Sequence, residues 1–190
     1  MSTRIDRAFE AVRRELFVPE EMRPFSKLDR PLPIGFGQTI SQPTTVRLML
    51  EWLDPKQGDH ILDVGSGSGW TTALLSKLAG PNGRVEAVEL VPELLAFGKE
   101  NCERFGIGNV FFHPAEKVLG FAGGAPYDRI LVSASAETFP PELMDQLRLG
   151  GKLVLPIGND IWEAEKTGAR GEYRLEWHPG FVFVPLLRKT

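Results

Sequence analysis

The chain has 190 residues, 42% hydrophobic and 25% charged, with a net charge of −3, which suits one soluble domain with a sizeable core. That mild acidity, with no Lys/Arg run, offers no footprint for nucleic acid. No apolar run reaches bilayer length, and the mixed-charge start MSTRIDRAFEAVRRELF lacks the apolar h-region of a secretory signal.

Apolar positions at Ile5, Phe9, Val12 and Leu16 predict a helix over 3–17, ended by Val18-Pro19. Residues 20–43 are rich in proline and hold two glycines, so an irregular segment is expected. Residues 44–53 read as a helix that Thr44 or Thr45 could cap. A rhythm then begins. HILDVG (60–65), RVEAVEL (84–90), NVFFHP (109–114), YDRILVSAS (127–135) and GKLVLPIG (151–158) read as strands. Helical segments at 69–79, 92–105 and 140–148 separate them, the second opened by Pro92 at the first-turn position. The expected fold is therefore α/β: a Rossmann-like, doubly wound, mostly parallel sheet with helices on both faces. The alternating residues of 159–177 and the apolar FVFVPLL (181–187) are expected as antiparallel strands at one edge. One domain is expected over 1–190: an N-terminal, substrate-side segment (1–53), a cofactor-binding core (54–158) and a β extension (159–190). Its single cysteine, Cys102, excludes an internal disulfide and makes a cytoplasmic setting the expectation.

ILDVGSGSGW (61–70) joins the first strand of that rhythm to its helix, with glycines at 65, 67 and 69. A dinucleotide fingerprint needs Gly or Ala where Trp70 stands. A phosphate-binding P-loop needs Gly-Lys-Ser/Thr, which is missing. Glu89 ends the next strand, where an acid can accept hydrogen bonds from ribose hydroxyls. Asp63, Glu89 and the residues after Phe112 all fall at strand carboxyl ends, where open α/β sheets bind ligands. The spacing G-x-G-x-G after Asp63 resembles that of S-adenosylmethionine-dependent methyltransferases.

PLPIGFGQTISQP (31–43), set ahead of that turn, closely resembles the protein-L-isoaspartate O-methyltransferase family. ELFVP (15–19), YDRILVSASAETFPPELMDQLRLGGKLVLPIG (127–158) and FVFVPL (181–186) extend the likeness over about residues 10–187. The resemblance implies methyl transfer from S-adenosyl-L-methionine to the α-carboxylate of L-isoaspartyl, and D-aspartyl, residues in damaged proteins, which starts their repair. It implies a monomer that acts on isoaspartyl peptides and proteins, with no nucleic-acid, membrane or metal partner. A carboxylate is already ionised and nucleophilic at neutral pH, so no catalytic base is required, and His60, His113 and His178 read as surface or strand-end residues. Orientation of the acceptor is then the main task.

Ser41, helped by Thr39, is expected to hold the acceptor carboxylate, with Ile40 and Gln38 on the substrate side. The alternative is that Thr39 and Ser41 only cap the following helix. Cofactor contacts are expected from Asp63, Gly65, Ser66, Gly67, Ser68, Gly69, Glu89, Leu90, Glu116 and Lys117. The chain departs from the family where GDG is replaced by Ala115-Glu116-Lys117, and where a Tyr ahead of PLPIG is replaced by Lys27 or Ser26. The first departure keeps two alternatives open: a related methyltransferase with another acceptor, and a cofactor-binding homologue without catalysis.

Overall fold

The computed structural model describes residues 3–168 and 171–188. Residues 1, 2, 169, 170, 189 and 190, which the expected domain and tail include, lie outside the described residues. The first helix, α1 (Arg4–Ala11), is opened by a capping box in which Thr3 and Asp6 bond each other's backbone. It stops well short of the expected residue 17. The physical reason is inward packing: Val12, Arg14 and Phe17 are all buried. On a continuous helix Val12 and Arg14 would point about 160° apart. The chain instead breaks at Val12 and resumes as a 3-10 turn over Arg14–Phe17.

The segment 20–43 is more regular than its prolines suggest. A 3-10 turn (Glu20–Phe25) leads into a hairpin of β1 (Leu32–Gly35) and β2 (Gln38–Ile40), paired antiparallel. Its tip is Gly35-Phe36-Gly37, three consecutive residues at positive φ. Helix α2 (Pro43–Leu53) follows, with Gln42 as N-cap and no side-chain cap. Neither Thr44 nor Thr45 caps it. Thr44 donates through both its backbone N and its hydroxyl to the Asp29 carboxylate, at 2.9 and 2.7 Å.

The expected strand–helix rhythm is present as β3 (His60–Val64), α3 (Trp70–Ala79), β4 (Arg84–Glu89), α4 (Pro92–Arg104), β5 (Val110–Pro114) and β6 (Tyr127–Val132). After it, α5 (Pro141–Asp145) is shorter than expected. Strand β7 (Leu147–Ile157) begins early because Leu147 already pairs with Tyr127. The tail adds β8 (Asp160–Lys166) and β9 (Tyr173–Pro179), both antiparallel. The sheet order is β5-β4-β3-β6-β7-β8-β9, parallel from β5 through β7. Residues 181–187 are not an edge strand as expected. They form a strap bonded to Ser135, whose N–H donates to the Val184 carbonyl and whose carbonyl accepts from Leu186 N–H, both at 2.8 Å. Pro185 has no N–H for a ladder, and only a single parallel bridge, Ser135 to Pro185, results. Among the described residues no helix is long and apolar enough to cross a membrane.

Strand alternation divides the core between two faces. Ile61 of β3 packs with α1, α2, α3 and α4, whereas Leu62 and Val64 pack with Tyr127, Leu143 and Met144 on the other face. Asp63 shares Ile61's face and is fully buried, with its Oδ2 accepting from Thr72 Oγ1 at 2.6 Å. Burial pushes its carboxyl up to about 7; the Thr72 bond opposes this and the Glu89 charge reinforces it. Helix α4 meets the turn after β3 without a side chain between them. A Cβ on Gly98 would lie 2.8 Å from the Gly67 carbonyl, and one on Gly69 would lie 2.8 Å from the Gly98 carbonyl.

Gly98→Ala sets two effects against each other. Alanine in a helix interior gains about 0.5–1 kcal/mol, but overpacking against backbone costs about 1–3 kcal/mol. The contact dominates, so thermal unfolding should show a lower Tm; a raised Tm would mean that the turn moves aside freely. For Asp63, the folded carboxyl keeps a proton that the unfolded one sheds near 3.8. The folded chain thus binds more protons between about pH 4 and 7, and stability falls as pH rises through that window. Asp63→Asn should flatten this fall when urea unfolding is followed from pH 4.5 to 7.5. An unchanged slope would assign the dependence to other groups.

Candidate active site

The chain leaves β3 toward β4 and β5 on one side and returns through β6 and β7 on the other. The carboxyl ends of β3 and β6 therefore flank the topological switch point, where open α/β sheets bind ligands. The glycine turn sits there. Gly65 and Ser66 N–H groups donate to the Val88 carbonyl at 2.9 and 3.1 Å, and Gly69 N–H closes the turn on the Ser66 carbonyl at 2.9 Å. The next strand end supplies a firmer tie. Glu89 Oε2 accepts from Gly67 N–H at 2.8 Å, while Oε1 accepts from Leu90 and Val91 N–H at 2.8 and 3.0 Å. Behind the turn, Asn101 Nδ2 of α4 donates to the Ser68 carbonyl at 3.0 Å.

A cleft opens over this turn. Gly65, Ser66, Gly67, Ser68, Glu89, Leu90, Glu116 and Lys117 line it together with Gln38, Thr39, Ile40 and Ser41. Two residues expected at the cofactor are placed elsewhere. Asp63 is behind the wall, bonded to Thr72, and Gly69 is the N-cap of α3. Glu116 and Lys117 stand exposed on the rim. The wall itself fits S-adenosylmethionine in kind. The Ser66 hydroxyl is buried and bonds no other described residue. The first-turn N–H groups of α3 have no intrahelical partner. Leu90, Leu94, Leu119 and Ala134 supply apolar surface. A Cβ on Gly67 would stand 3.2 Å from Ile34 Cδ1, so this position keeps the hairpin close above the turn.

The half-buried Thr39 and Ser41 hydroxyls form no hydrogen bond to another described residue. Neither caps α2, whose N-cap is Gln42. Two further elements line the cleft that the sequence reading did not assign to it. Ser133 follows β6 at the switch point, and the strap residues Val184 to Arg188 close the far side. The switch-point rule applied to YDRILVS would have found Ser133. Nothing in the apolar pattern of FVFVPLL distinguishes a strap from a strand.

The three histidines lie at strand ends, as expected, each beside a carboxylate. His113 Nε2 lies 2.6 Å from Glu86 Oε2, and His60 Nε2 lies 3.5 Å from Oε1 of the same carboxylate, which also pairs with Arg84. Burial raises the Glu86 pKa, but the hydrogen bonds from His113 and Arg84 outweigh it and hold the carboxyl below its usual range. His178 bonds Glu163 at 2.7 Å and stacks on Trp52 at 3.9 Å. None of the three lines the cleft.

Known proteins agree with this geometry. The family model described as Protein-L-isoaspartate(D-aspartate) O-methyltransferase matches residues 1–190. A protein-L-isoaspartate O-methyltransferase of Methanothrix thermoacetophila is 44% identical over 189 residues, covering 100% of this chain and 90% of its own. One of Pyrococcus horikoshii is 40% identical, covering 98% of this chain and 86% of its own. Among solved structures, a protein-L-isoaspartate O-methyltransferase superposes with a TM-score of 0.88 at 27% identity, over 97% of this chain; the chain spans 61% of that longer one. A Plasmodium falciparum structure of the same description, in complex with S-adenosyl-L-homocysteine, gives 0.84 at 28% identity over 98% of this chain and 91% of its own. A glycine turn tied to a strand-end acid, two free hydroxyls facing it across one cleft, and a match running from end to end lead to one conclusion: the chain belongs to the protein-L-isoaspartate(D-aspartate) O-methyltransferase family.

Proposed function

We propose that the chain methylates the α-carboxylate of isoaspartyl residues in peptides and proteins, as a cytoplasmic monomer, with Ser41 and Thr39 orienting the acceptor. The observation that carries this reading is that both hydroxyls are unbonded and face the same cleft as the glycine turn and Glu89. S-adenosylmethionine, when bound, supplies a methyl group activated by a sulfonium. Ser66, Gly67, Ser68 and Glu89 would hold it. The Glu89 carboxylate has four lone-pair sites, and backbone N–H groups take three, which leaves capacity for a ribose hydroxyl.

The acceptor carboxylate is ionised at neutral pH and needs no proton removed. Ser41 and Thr39 therefore serve as donors. They fix the carboxylate's direction, and the rate gain comes from lost rotational freedom paid for during binding. Leu90, Leu94, Leu119 and Ala134 supply the apolar part of the cleft beside these donors.

The deciding assay compares methyl transfer to an isoaspartyl peptide with transfer to its normal-aspartyl twin. Transfer to the first alone is expected; equal transfer to both points to another acceptor. Ser41→Ala removes one donor to a charged group, a loss of about 1.5–3 kcal/mol, so kcat should fall by about 10- to 100-fold. Cofactor affinity should stay nearly unchanged by titration calorimetry. A fall in Tm with kcat intact would assign Ser41 to structure alone. Glu89→Ala should weaken binding of S-adenosylhomocysteine by about 1–3 kcal/mol, which the same calorimetry measures.

A further inference from the structure

We propose that Arg14 is a positioning residue for methyl transfer, one that sets the placement of the Ser41 hydroxyl by gripping the backbone that carries it. The proposal rests on the reading of Ser41 given above.

Arg14 follows the break after α1 and is 7% exposed. Its guanidinium donates only to carbonyl oxygens. Nη1 bonds Ser26 at 3.0 Å and Leu28 at 3.2 Å; Nη2 bonds Arg30 at 2.8 Å and Ser41 at 3.0 Å, with the Ile40 carbonyl at 3.4 Å. One planar group thereby ties the 26–30 loop to the end of β2 and to Ser41 just after it. Its Cζ also lies 5.4 Å from the centre of the Trp70 ring. Trp70 is the first residue of α3 and lines the cleft, and its indole N–H returns to the Val12 carbonyl at 3.2 Å. The substrate wall and the cofactor wall thus meet through Arg14.

The arrangement is costly in free energy. No described ion pair includes Arg14, so burial of its charge is offset mainly by carbonyl dipoles, with the Trp70 ring face and the more distant Asp29 charge adding to them. Packing alone would be served by an apolar side chain. What a guanidinium adds is a rigid fork of donors: both nitrogens reach the 26–30 loop and Nη2 also reaches Ile40 and Ser41, five carbonyls in all, more than the three donors of a lysine ammonium can serve. The free hydroxyls of Thr39 and Ser41 have no bonds of their own to fix them, so their placement depends on how this backbone is held.

The test uses the full chain carrying Arg14→Lys. At saturating isoaspartyl peptide, kcat should fall at least tenfold, while the Kd for S-adenosylhomocysteine stays within threefold. If Arg14 acts through Ser41, the losses are not additive, and Arg14→Lys with Ser41→Ala should be within about twofold of Ser41→Ala alone. Amide hydrogen exchange at 38–41 should quicken, with β3 and β4 unchanged. Turnover within twofold of the unsubstituted enzyme, or fully multiplicative losses in the double variant, would overturn the proposal. If the unsubstituted chain does not methylate the isoaspartyl peptide, the functional reading fails instead. Exchange at 38–41 then decides on Arg14 alone, and unchanged exchange rejects its grip. Should Arg14→Lys fail to fold, Arg14→Gln, which keeps an amide donor and removes the buried charge, is measured against the same outcomes.

Discussion

Three backbone N–H groups converge on the Glu89 carboxylate, and the site's geometry depends on that convergence. One bond pins the glycine turn to the end of β4. The other two fix the chain as it enters α4, because Leu90 and Val91 lie directly before Pro92. The same helix returns Gly98 and Asn101 to the back of the turn. Turn, strand and helix are therefore locked as one body, and a ligand meets a surface that is already formed. Hydrogen bonds to a charged acceptor are about twice as strong as neutral ones, so a carboxylate suits this junction better than an amide.

Among the other buried ionisable groups, Asp63, Glu86 and Arg14 are each accommodated by a different device. Asp63 yields to desolvation and holds its proton to about pH 7, since its one hydrogen bond cannot offset full burial. Glu86 does the opposite. With His113 and Arg84 bonded to it, burial loses to hydrogen bonding and the carboxyl stays ionised. Arg14 cannot shed its charge at neutral pH and is satisfied by carbonyls drawn from separate loops. Asp63 on β3 and Glu86 on the adjacent β4 differ because only Glu86 has cations within reach.

Much of this was legible in the sequence, and the exceptions have a common cause. The alternation of apolar runs with helical segments identified β3 through β7, because burial between two helical layers leaves a strong local pattern, whereas the alternating stretch 159–177 was expected as edge strand without its division into β8 and the mostly exposed β9. The cleft's glycines, Glu89 and hydroxyls were legible because each sits at a strand end or in a distinctive motif. The failures came where long-range contacts overrode local preference. The helix predicted through Leu16 is broken so that Val12 and Arg14 can both turn inward. The prolines of 31–43 obscured a hairpin that β1–β2 pairing stabilises. The strap at 181–187 looked like a strand because its apolar residues answer to the cleft and to Ser135, neither of which is near it in sequence. His60, Glu86 and His113 meet only after β3, β4 and β5 align.

The two walls of the cleft are built on opposite terms, and the chemistry explains why. On the cofactor side the Glu89 carboxylate and the Gly65, Ser66, Gly67 and Gly69 N–H groups are bonded within the protein, while the buried Ser66 hydroxyl is open. On the substrate side the Thr39 and Ser41 hydroxyls are left open, and the strap is tied to the sheet through Ser135. A cofactor of constant shape rewards a surface formed in advance. Acceptors embedded in different damaged proteins share only a carboxylate and its adjoining backbone, so the constant part of recognition must be carried by a few donors at fixed positions. Such donors are useful only if the backbone beneath them does not move. A hairpin with so few bonds of its own must then be held from behind, and the buried guanidinium of Arg14 is the group placed to do it.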